Sequence, residues 1–445
     1  MNARRLSKAM VLWFALSSAQ AGWAQPQPQP PPQPAPTPAQ PAPAPSDPAP
    51  PPTDVPPPSD PPPAEPAPAV TVVAEPEPEP EPEPERPKLT RNFAGSIQLD
   101  YMAIPSEKTG RQVALDGATA EVSLKLAMDF TSKISANVKM CVACHGVEIG
   151  MAYFDLRVAD EMNVRVGRFT PAFGEFPVRH DPANHRTSDK PLPYDMGRML
   201  RIEEWNEGVL PAPWVDNGIE VNGTHFFGKN LQTDYAVYAI SGPRAGADPL
   251  DFDFKQSRSG EAYYIDNNSR PALGGQLVAS VITDTTTWSA GASMMRGTYD
   301  PEHRLPFSIF GAHFIARIGD VFLRAELLTR RHKMSLGENP MERFRYDPGS
   351  NGEFDPWVVK DGGVAELELP LGSRLTLIVR EDGLRRRGNV SANSMMRSDS
   401  ALLRHTVGTA IVLRQSLRLK LSYEYYDFSD FEDESVVHVG IAGPF

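Results

Sequence analysis

The sequence predicts an all-β protein, a transmembrane antiparallel β-barrel of about 16 strands preceded by a disordered proline-rich linker. Three observations favour this fold class. Apolar and polar residues alternate with a period of two along many segments. Short turns alternate with long polar loops between these segments, and the chain ends in a phenylalanine on an apolar strand face. No apolar stretch of about 18 residues occurs, so no helical membrane span is expected.

The alternation is clearest near the C-terminus, where polar residues separate Leu417, Leu419, Leu421, Tyr423 and Tyr425. A sheet between lipid and a watery lumen needs one apolar face and one polar face. A soluble β-sandwich also alternates, but its polar face looks outward. The spacing of the strands therefore has to distinguish the two folds.

About sixteen strands are expected, and their connections alternate in length as in bacterial outer-membrane barrels. The turn at 318–320 is tight, whereas the loops at 170–215 and 243–270 are long and rich in Gly, Pro and Asp. An even strand count places both ends of the barrel on the same side. The predicted strands are 93–103, 118–130, 133–141, 149–158, 162–169, 216–228, 231–242, 271–282, 285–298, 307–317, 320–332, 357–369, 374–386, 400–413, 416–428 and 434–445.

Two segments precede the predicted barrel. Residues 1–24 have a basic start, a short apolar core and small residues up to Ala24, which is typical of a cleaved secretory signal; an uncleaved anchor is the alternative. Residues 25–88 are rich in Pro, Ala, Gln and Glu, which predicts a disordered periplasmic linker or, alternatively, a ligand for a proline-binding partner. Residues 89–445 are the predicted β-barrel domain, located in the outer membrane of a Gram-negative cell.

The charged residues exclude some functions. The net charge of −12 does not indicate the basic surface that nucleic-acid binding requires. No catalytic serine, paired acid or phosphate-cradling glycine loop stands out, so no enzyme is expected. The inward positions inferred from the alternation carry both signs, so no strong ion preference follows. They are Lys125, Lys139, Arg157, Arg165, Arg317, Arg324, Arg380, Arg404, Arg418, Lys420, Glu121, Asp129, Asp155, Glu220, Asp234, Glu326, Glu366, Glu368 and Glu424.

The two cysteines of the chain, Cys141 and Cys144, form a Cys-x-x-Cys-His pattern with His145. The pattern resembles the haem attachment site of c-type cytochromes. That resemblance implies one covalently attached haem c, with His145 as the proximal iron ligand. Three other interpretations stay open: a small disulfide loop in an oxidising compartment, a zinc site, and two free thiols.

The third long loop, residues 170–215, contains candidates for the second axial ligand of that haem. A loop of about 45 residues without strand or helix pattern is usually functional. His180 and His185 rank first because imidazole is a strong haem ligand. Arg179 and Arg186 are candidates for pairing with haem propionates or for lining a pore constriction. The remaining candidate ligands are Met151, Met196 and Met199.

Two further patterns point to a family. Residues 163–174 read Asn-Val-Arg-Val-Gly-Arg-Phe-Thr-Pro-Ala-Phe-Gly. They are similar to a segment of the phosphate-selective porin O/P family, in which a strand leads through Pro and Phe-Gly into the third loop. The apolar last strand ending in Phe445 resembles the assembly signal of outer-membrane barrels, although Pro444 departs from it. The resemblance implies a sixteen-stranded porin and a homotrimer, whereas the Cys-x-x-Cys-His pattern departs from ordinary members.

The sequence therefore predicts an outer-membrane porin for small hydrophilic or anionic solutes, with one covalent haem near the outer mouth. Its expected partners are outer-membrane lipid and small solutes. One alternative is an electron-transfer haem protein. It needs periplasmic redox partners, because one haem cannot bridge a membrane about 30 Å thick. The other alternative is a porin with a Cys141–Cys144 disulfide and no haem.

Overall fold

The computed structural model describes residues 89–103, 117–143, 146–195, 208–246, 248–254, 266–346, 352–414 and 416–445. Within these residues, sixteen antiparallel strands form one closed barrel. Each strand pairs with its neighbours in sequence, and the first strand also pairs with the last. The fold class expected from the sequence is thereby confirmed. The predicted signal peptide 1–24 and linker 25–88 lie outside the described residues.

The strands follow the predicted order, with small differences at their ends. Their bounds are β1 Thr90–Ala103, β2 Gly117–Asp129, β3 Ile134–Ala143, β4 Gly146–Ala159, β5 Met162–Phe169, β6 Asp216–Phe227, β7 Leu231–Ile240, β8 Ala272–Ile282, β9 Thr286–Thr298, β10 Pro306–Ile318, β11 Val321–Lys333, β12 Trp357–Pro370, β13 Leu375–Arg387, β14 Asp399–Arg414, β15 Leu417–Phe428 and β16 Glu434–Pro444. Two short 3₁₀ segments, Phe176–Arg179 and Leu192–Tyr194, and one helical turn, Pro340–Arg343, lie in the loops. Among the described residues, no helix has the length and apolar character needed to cross a membrane.

The two faces of the barrel wall differ as the alternation predicts. Large apolar side chains such as Phe93, Val237 and Leu273 are exposed on the outer face. Charged side chains such as Glu220 and Arg404 are buried on the inner face. Because closure gives every strand two neighbours, the described barrel has no edge strand.

The C-terminal residue closes the barrel against β1. The N–H of Phe445 donates to the carbonyl of Gly95 at 2.9 Å, and the N–H of Gly95 donates to the carbonyl of Phe445 at 2.9 Å. The ladder therefore continues past Pro444, which lacks an N–H. The Phe445 ring covers Gly95 so closely that a Cβ at Gly95 would lie 2.3 Å from Cζ of the ring. A larger residue at this position would therefore displace the Phe445 ring.

The tight turns and both barrel termini lie at one end of the barrel, called here the turn end, and the long connections lie at the loop end. The β3–β4 hairpin points toward the loop end and is longer than predicted, because pairing continues to Ala143 and Gly146. A bulge at Lys139 and Met140 accommodates this extension. Cys141, which begins the Cys-x-x-Cys-His pattern, thus lies two residues before the end of β3.

Two loops from the loop end enter the lumen. The third loop, residues 170–215, and the fourth loop, residues 241–271, both bury aromatic side chains inside the barrel. Trp214 of the third loop packs edge-on against Phe254 of the fourth, with ring centroids 5.4 Å apart. The inner core is therefore formed by these loops and the inward faces of the strands.

Candidate functional site

The third loop leaves β5 and turns at once into the lumen. Phe176 and Tyr194, one from each 3₁₀ segment, are buried there with ring centroids 5.5 Å apart. Apolar side chains fold this loop onto itself because they are removed from the water that fills a barrel. Polar groups on the surrounding strands then fix its position.

Glu326 of β11 anchors the start of the loop. Its carboxylate accepts the N–H groups of Glu175 at 2.8 Å and Phe176 at 3.4 Å, and the hydroxyl of Tyr194 at 2.5 Å. Burial and the nearby Glu326 carboxylate raise the pKa of Tyr194, so its hydroxyl keeps its proton and donates. From β8, three strands away, Gln276 donates to the carbonyl of Gly174 at 2.8 Å. Two strands of the wall therefore hold this turn.

Asp189 anchors the middle of the loop to β13 and β14. It accepts hydrogen bonds of 2.7 and 2.6 Å from Arg380 and forms an ion pair with Arg404. Burial opposes the charged carboxylate of Asp189, but the two guanidinium groups outweigh it and lower its pKa. Asp382 completes the network, since it accepts hydrogen bonds of 2.9 and 2.5 Å from Arg404 and one of 2.7 Å from the N–H of Leu192.

Lys420 of β15 fixes the part of the third loop from Pro182 to Thr187. Its ammonium group donates to Gln98 Oε1 at 2.9 Å, to the carbonyl of Pro182 at 2.6 Å and to the carbonyl of Thr187 at 3.0 Å. Gln98 also donates to the carbonyl of Ser188 at 2.8 Å. These neutral acceptors satisfy the buried cation without a direct carboxylate partner.

Several ion pairs on the lumen side expose the cation more than the carboxylate. Arg186 retains 28 % of its side-chain surface and Glu368 only 5 %, with 3.3 Å between Arg186 Nε and Glu368 Oε2. Lys125 retains 48 % and its partner Asp181 only 9 %. The remaining pairs of this kind are Arg324 with Glu368, Arg179 with Glu366, and Arg165 with Glu220. In each pair the carboxylate lies behind the cation.

Open space remains beside the loop on the wall formed by β5–β8. A cavity of about 260 Å³ is lined by Arg165, Glu220, Asp234 and Gln276 among others. Arg165 stacks over the Tyr153 ring at 4.5 Å and donates to Asp155 at 2.8 Å, so its guanidinium group is held at the cavity edge. This cavity is large enough for hydrated ions and small solutes.

The structure places Cys141 on the inner face of β3, opposite Ser123 and Glu148. Cys144 and His145, and likewise Met196 and Met199, lie outside the described residues. Met151 lies on β4 opposite Lys139, and Lys139 is two residues before Cys141 in β3. The described residues contain no group of three or more His, Cys, Asp or Glu side chains arranged to hold a metal ion. The predicted haem attachment at Cys141, Cys144 and His145 thus stays a prediction.

The two loop histidines differ in their surroundings. Both ring nitrogens of His180 are engaged, Nε2 with Lys139 Nζ at 2.7 Å and Nδ1 with the carbonyl of Pro177 at 2.5 Å. Burial and the Lys139 charge lower the pKa of His180 to about 3. His185 is buried against Phe176, burial lowers its pKa, and its Nδ1 has no hydrogen-bond partner among the described residues. Of the two, His185 has a nitrogen available for a further ligand.

Alternation identified most of the wall residues of this site but missed their loop partners. Asp189 and Tyr194 carry no sequence signal of their own, because their partners lie far away in the sequence. Arg330, His332 and Lys360 were also missed, although they continue the inward parity of Glu326 and Glu366 toward the loop end. Extending that parity along β11 and β12 would have found them.

No protein-family model matches the chain, and no curated protein sequence matches it. Solved structures of outer-membrane proteins have a similar fold. An anion-selective porin from Comamonas acidovorans is 11 % identical with a TM-score of 0.48, and the match covers 80 % of this chain and all (100 %) of that one. The outer membrane channel DcaP of Acinetobacter baumannii is 12 % identical with a TM-score of 0.46, covering 80 % and 97 % of the two chains. OmpT of Vibrio cholerae, in a trimer form, is 9 % identical with a TM-score of 0.45, covering 80 % and 99 %.

Proposed function

We propose that this protein is an outer-membrane channel that passes small hydrophilic solutes and prefers anions. The observation that carries the proposal is the asymmetry of the lumen ion pairs. Arg186 and Lys125 expose much more of their side chains than Glu368 and Asp181, their carboxylate partners. Lumen water therefore meets guanidinium and ammonium groups first, and a passing ion is attracted if it is negative.

This function assigns the chain to the outer membrane of a Gram-negative cell. The apolar outer face of the closed barrel supports that location, because strands can lie in hydrocarbon only when every backbone group is paired. The homotrimer and the phosphate-porin kinship implied by the sequence resemblance are part of the same proposal. Size-exclusion chromatography with light scattering on the detergent-solubilised protein measures the subunit number.

The channel proposal is tested by recording currents from the purified protein in planar lipid bilayers under a potassium chloride gradient. We expect discrete conductance steps and a reversal potential with the sign of chloride selectivity. A reversal potential with the sign of potassium selectivity would overturn the anion preference. A protein that inserts but gives no conductance would overturn the channel itself.

We also propose that one haem c is attached through Cys141 and Cys144, with His145 as the proximal ligand. Two observations support a fit: Cys141 faces the lumen at the loop end, and buried His185 has an unpaired ring nitrogen. His185 is therefore preferred over His180, whose nitrogens are both engaged. A bound haem would supply a one-electron redox centre.

A pyridine haemochrome spectrum of the purified protein tests this second proposal. We expect a c-type spectrum that disappears in the Cys141→Ser, Cys144→Ser double variant. A protein without haem whose mass rises by two hydrogens on reduction would establish the disulfide alternative. Conductance that is the same in the oxidised and reduced protein favours passive diffusion, whereas a closed lumen with fast electron exchange favours the electron-transfer alternative.

A further inference from the structure

A second charged cluster lies in the lumen nearer the loop end, formed by the fourth loop and strands β11 and β12. The loop turns inward at Leu250 and places Asp251 against the wall. There Arg330 Nη2 lies 3.1 Å from Asp251 Oδ1, and Lys360 Nζ lies 2.6 Å from Oδ2. His332 Nε2 lies 3.3 Å from Oδ1. Three wall side chains thus contact one loop carboxylate.

Two wall cations contact Asp251 directly. Arg330 and Lys360 approach different oxygens of its carboxylate from neighbouring strands. Burial opposes the charged carboxylate of Asp251, but Arg330 and Lys360 outweigh it and lower its pKa. The cluster therefore favours a carboxylate between these two cations.

The donors of the cluster also exceed its acceptors. Arg330 is fully buried, yet its Nε and Nη1 have no hydrogen-bond partner within the described part of the chain. His332 is equally buried, and its Nδ1 is unpaired there as well. Buried donors without acceptors are destabilising, and native structures usually satisfy them with a ligand, ion or water.

Aromatic packing also holds the loop segment. Phe252 and Phe254 lie under the Arg330 guanidinium group, at 4.5 and 5.2 Å from its carbon to the ring centroids. Asp251 nevertheless retains 26 % of its side-chain surface, so the lumen reaches its carboxylate. A dissolved carboxylate can therefore reach the position of Asp251, and it contacts the buried Arg330 only when Asp251 leaves.

We propose that Arg330 and Lys360 form a binding site for the carboxylate group of a small solute, and that Asp251 is a tethered occupant of this site that the solute replaces. This inference rests on the proposed channel function, because the solute reaches the site through the lumen. It deepens that function by naming the solute class and a site in the lumen that binds it.

The test is isothermal titration calorimetry with succinate as the probe and the neutral succinamide as its control, using the full chain in detergent. Asp251→Asn removes the competing charge and leaves the donors in place, so we expect succinate to bind about tenfold more tightly, or better, than to the wild type. Asp248→Asn is the matched control, because Asp248 is in the same loop but pairs with Ser335 and Arg343 outside the cluster. Its affinity should equal that of the wild type.

Adding Lys360→Met to Asp251→Asn should abolish the gain. An Asp251→Asn protein that binds succinate no better than the wild type, or a gain that survives Lys360→Met, would overturn the proposal. Hydrogen exchange on the wild-type protein tests it without any substitution. Succinate, but not succinamide, should speed exchange in residues 248–254, and unchanged exchange at saturating succinate counts against replacement of Asp251.

Bilayer currents recorded on the same samples separate the two proposals. A conducting channel without the succinate effect refutes only the carboxylate site. A protein that shows the effect but never conducts refutes only the channel.

Discussion

Arg380 and Asp189 are 191 residues apart in the sequence, yet one guanidinium nitrogen of Arg380 donates to both carboxylate oxygens of Asp189, at 2.7 and 2.6 Å. Both side chains are almost fully buried. Arg404 contacts the same carboxylate from the next strand. The third loop is therefore fixed to the barrel wall by a desolvated ion pair, and the shape of the lumen depends on it.

Asp189→Asn should lower the free energy of unfolding by about 3–5 kcal/mol, because it leaves two buried guanidinium groups short of one negative charge. Urea-induced unfolding in detergent, followed by tryptophan fluorescence, measures the change. Asp284→Asn, in an exposed turn, is the control and should leave the unfolding midpoint unchanged. Equal midpoints for both variants would contradict the anchoring role of Asp189.

Stability should fall as the pH is lowered from about 7 to about 4. Burial lowers the pKa of His180 from 6.5 to about 3 and that of His185 well below 6.5. The folded protein therefore binds fewer protons than the unfolded chain, so the stabilisation is complete above 6.5 and is lost as the pH falls toward the folded pKa. Each histidine contributes a slope of at most about 1.4 kcal/mol per pH unit.

Urea unfolding at several pH values measures that slope, and the His180→Gln, His185→Gln double variant should flatten it. The exposed His225 provides the control, since His225→Gln should leave the slope unchanged. A double variant with the wild-type slope would show that other groups cause the acid sensitivity.

Removing lumen cations should weaken the anion preference. In the Arg186→Gln, Arg324→Gln double variant, Glu368 loses the two guanidinium groups in front of it, at 3.3 and 2.6 Å. We expect the reversal potential in a salt gradient to move toward, or past, zero. Arg385→Gln is the matched control, because Arg385 lies on the outer face and pairs with Asp399. The prediction fails if both proteins keep the wild-type reversal potential.

Glu326→Ala should loosen the start of the third loop. The substitution removes the acceptor of two backbone N–H groups and of the Tyr194 hydroxyl, which leaves three buried donors unpaired. Hydrogen exchange in residues 173–178 should become faster by about tenfold or more. Glu302→Ala, at an exposed position, should not change it. Unchanged exchange in the Glu326 variant would mean that aromatic packing and the Gln276 contact are enough to hold the turn.

The strands were predictable because their signal is local. The period-two rule places Leu417 and Arg418 on opposite faces of β15. It needs no information about any other strand. The sequence erred only at strand ends. Pairing in the β3–β4 hairpin continues to Ala143 and Gly146, because neighbouring backbone groups go on forming ladder bonds after the side-chain pattern stops.

The candidate site was predictable only in part. Alternation marked Arg380, Arg404 and Glu326 as inward residues, but it gave them no partners. The carboxylates and hydroxyl that meet them come from loops, where no periodicity applies. His180 and His185 were singled out as ligand candidates, yet only the tertiary contacts distinguish the engaged His180 from His185 with its unpaired nitrogen.

By itself, the sequence determined a closed barrel with an apolar outside and a polar lumen, because alternation and turn spacing are properties of neighbouring residues. Only the tertiary structure decided which charges face the water of the lumen. Closure brings Asp189 to Arg380 and Asp251 to Arg330, and it places carboxylates such as Glu368 behind their cations. Ion pairing between residues far apart in the sequence depends on the distance between the charged groups and on their burial. Neither quantity can be read from the sequence.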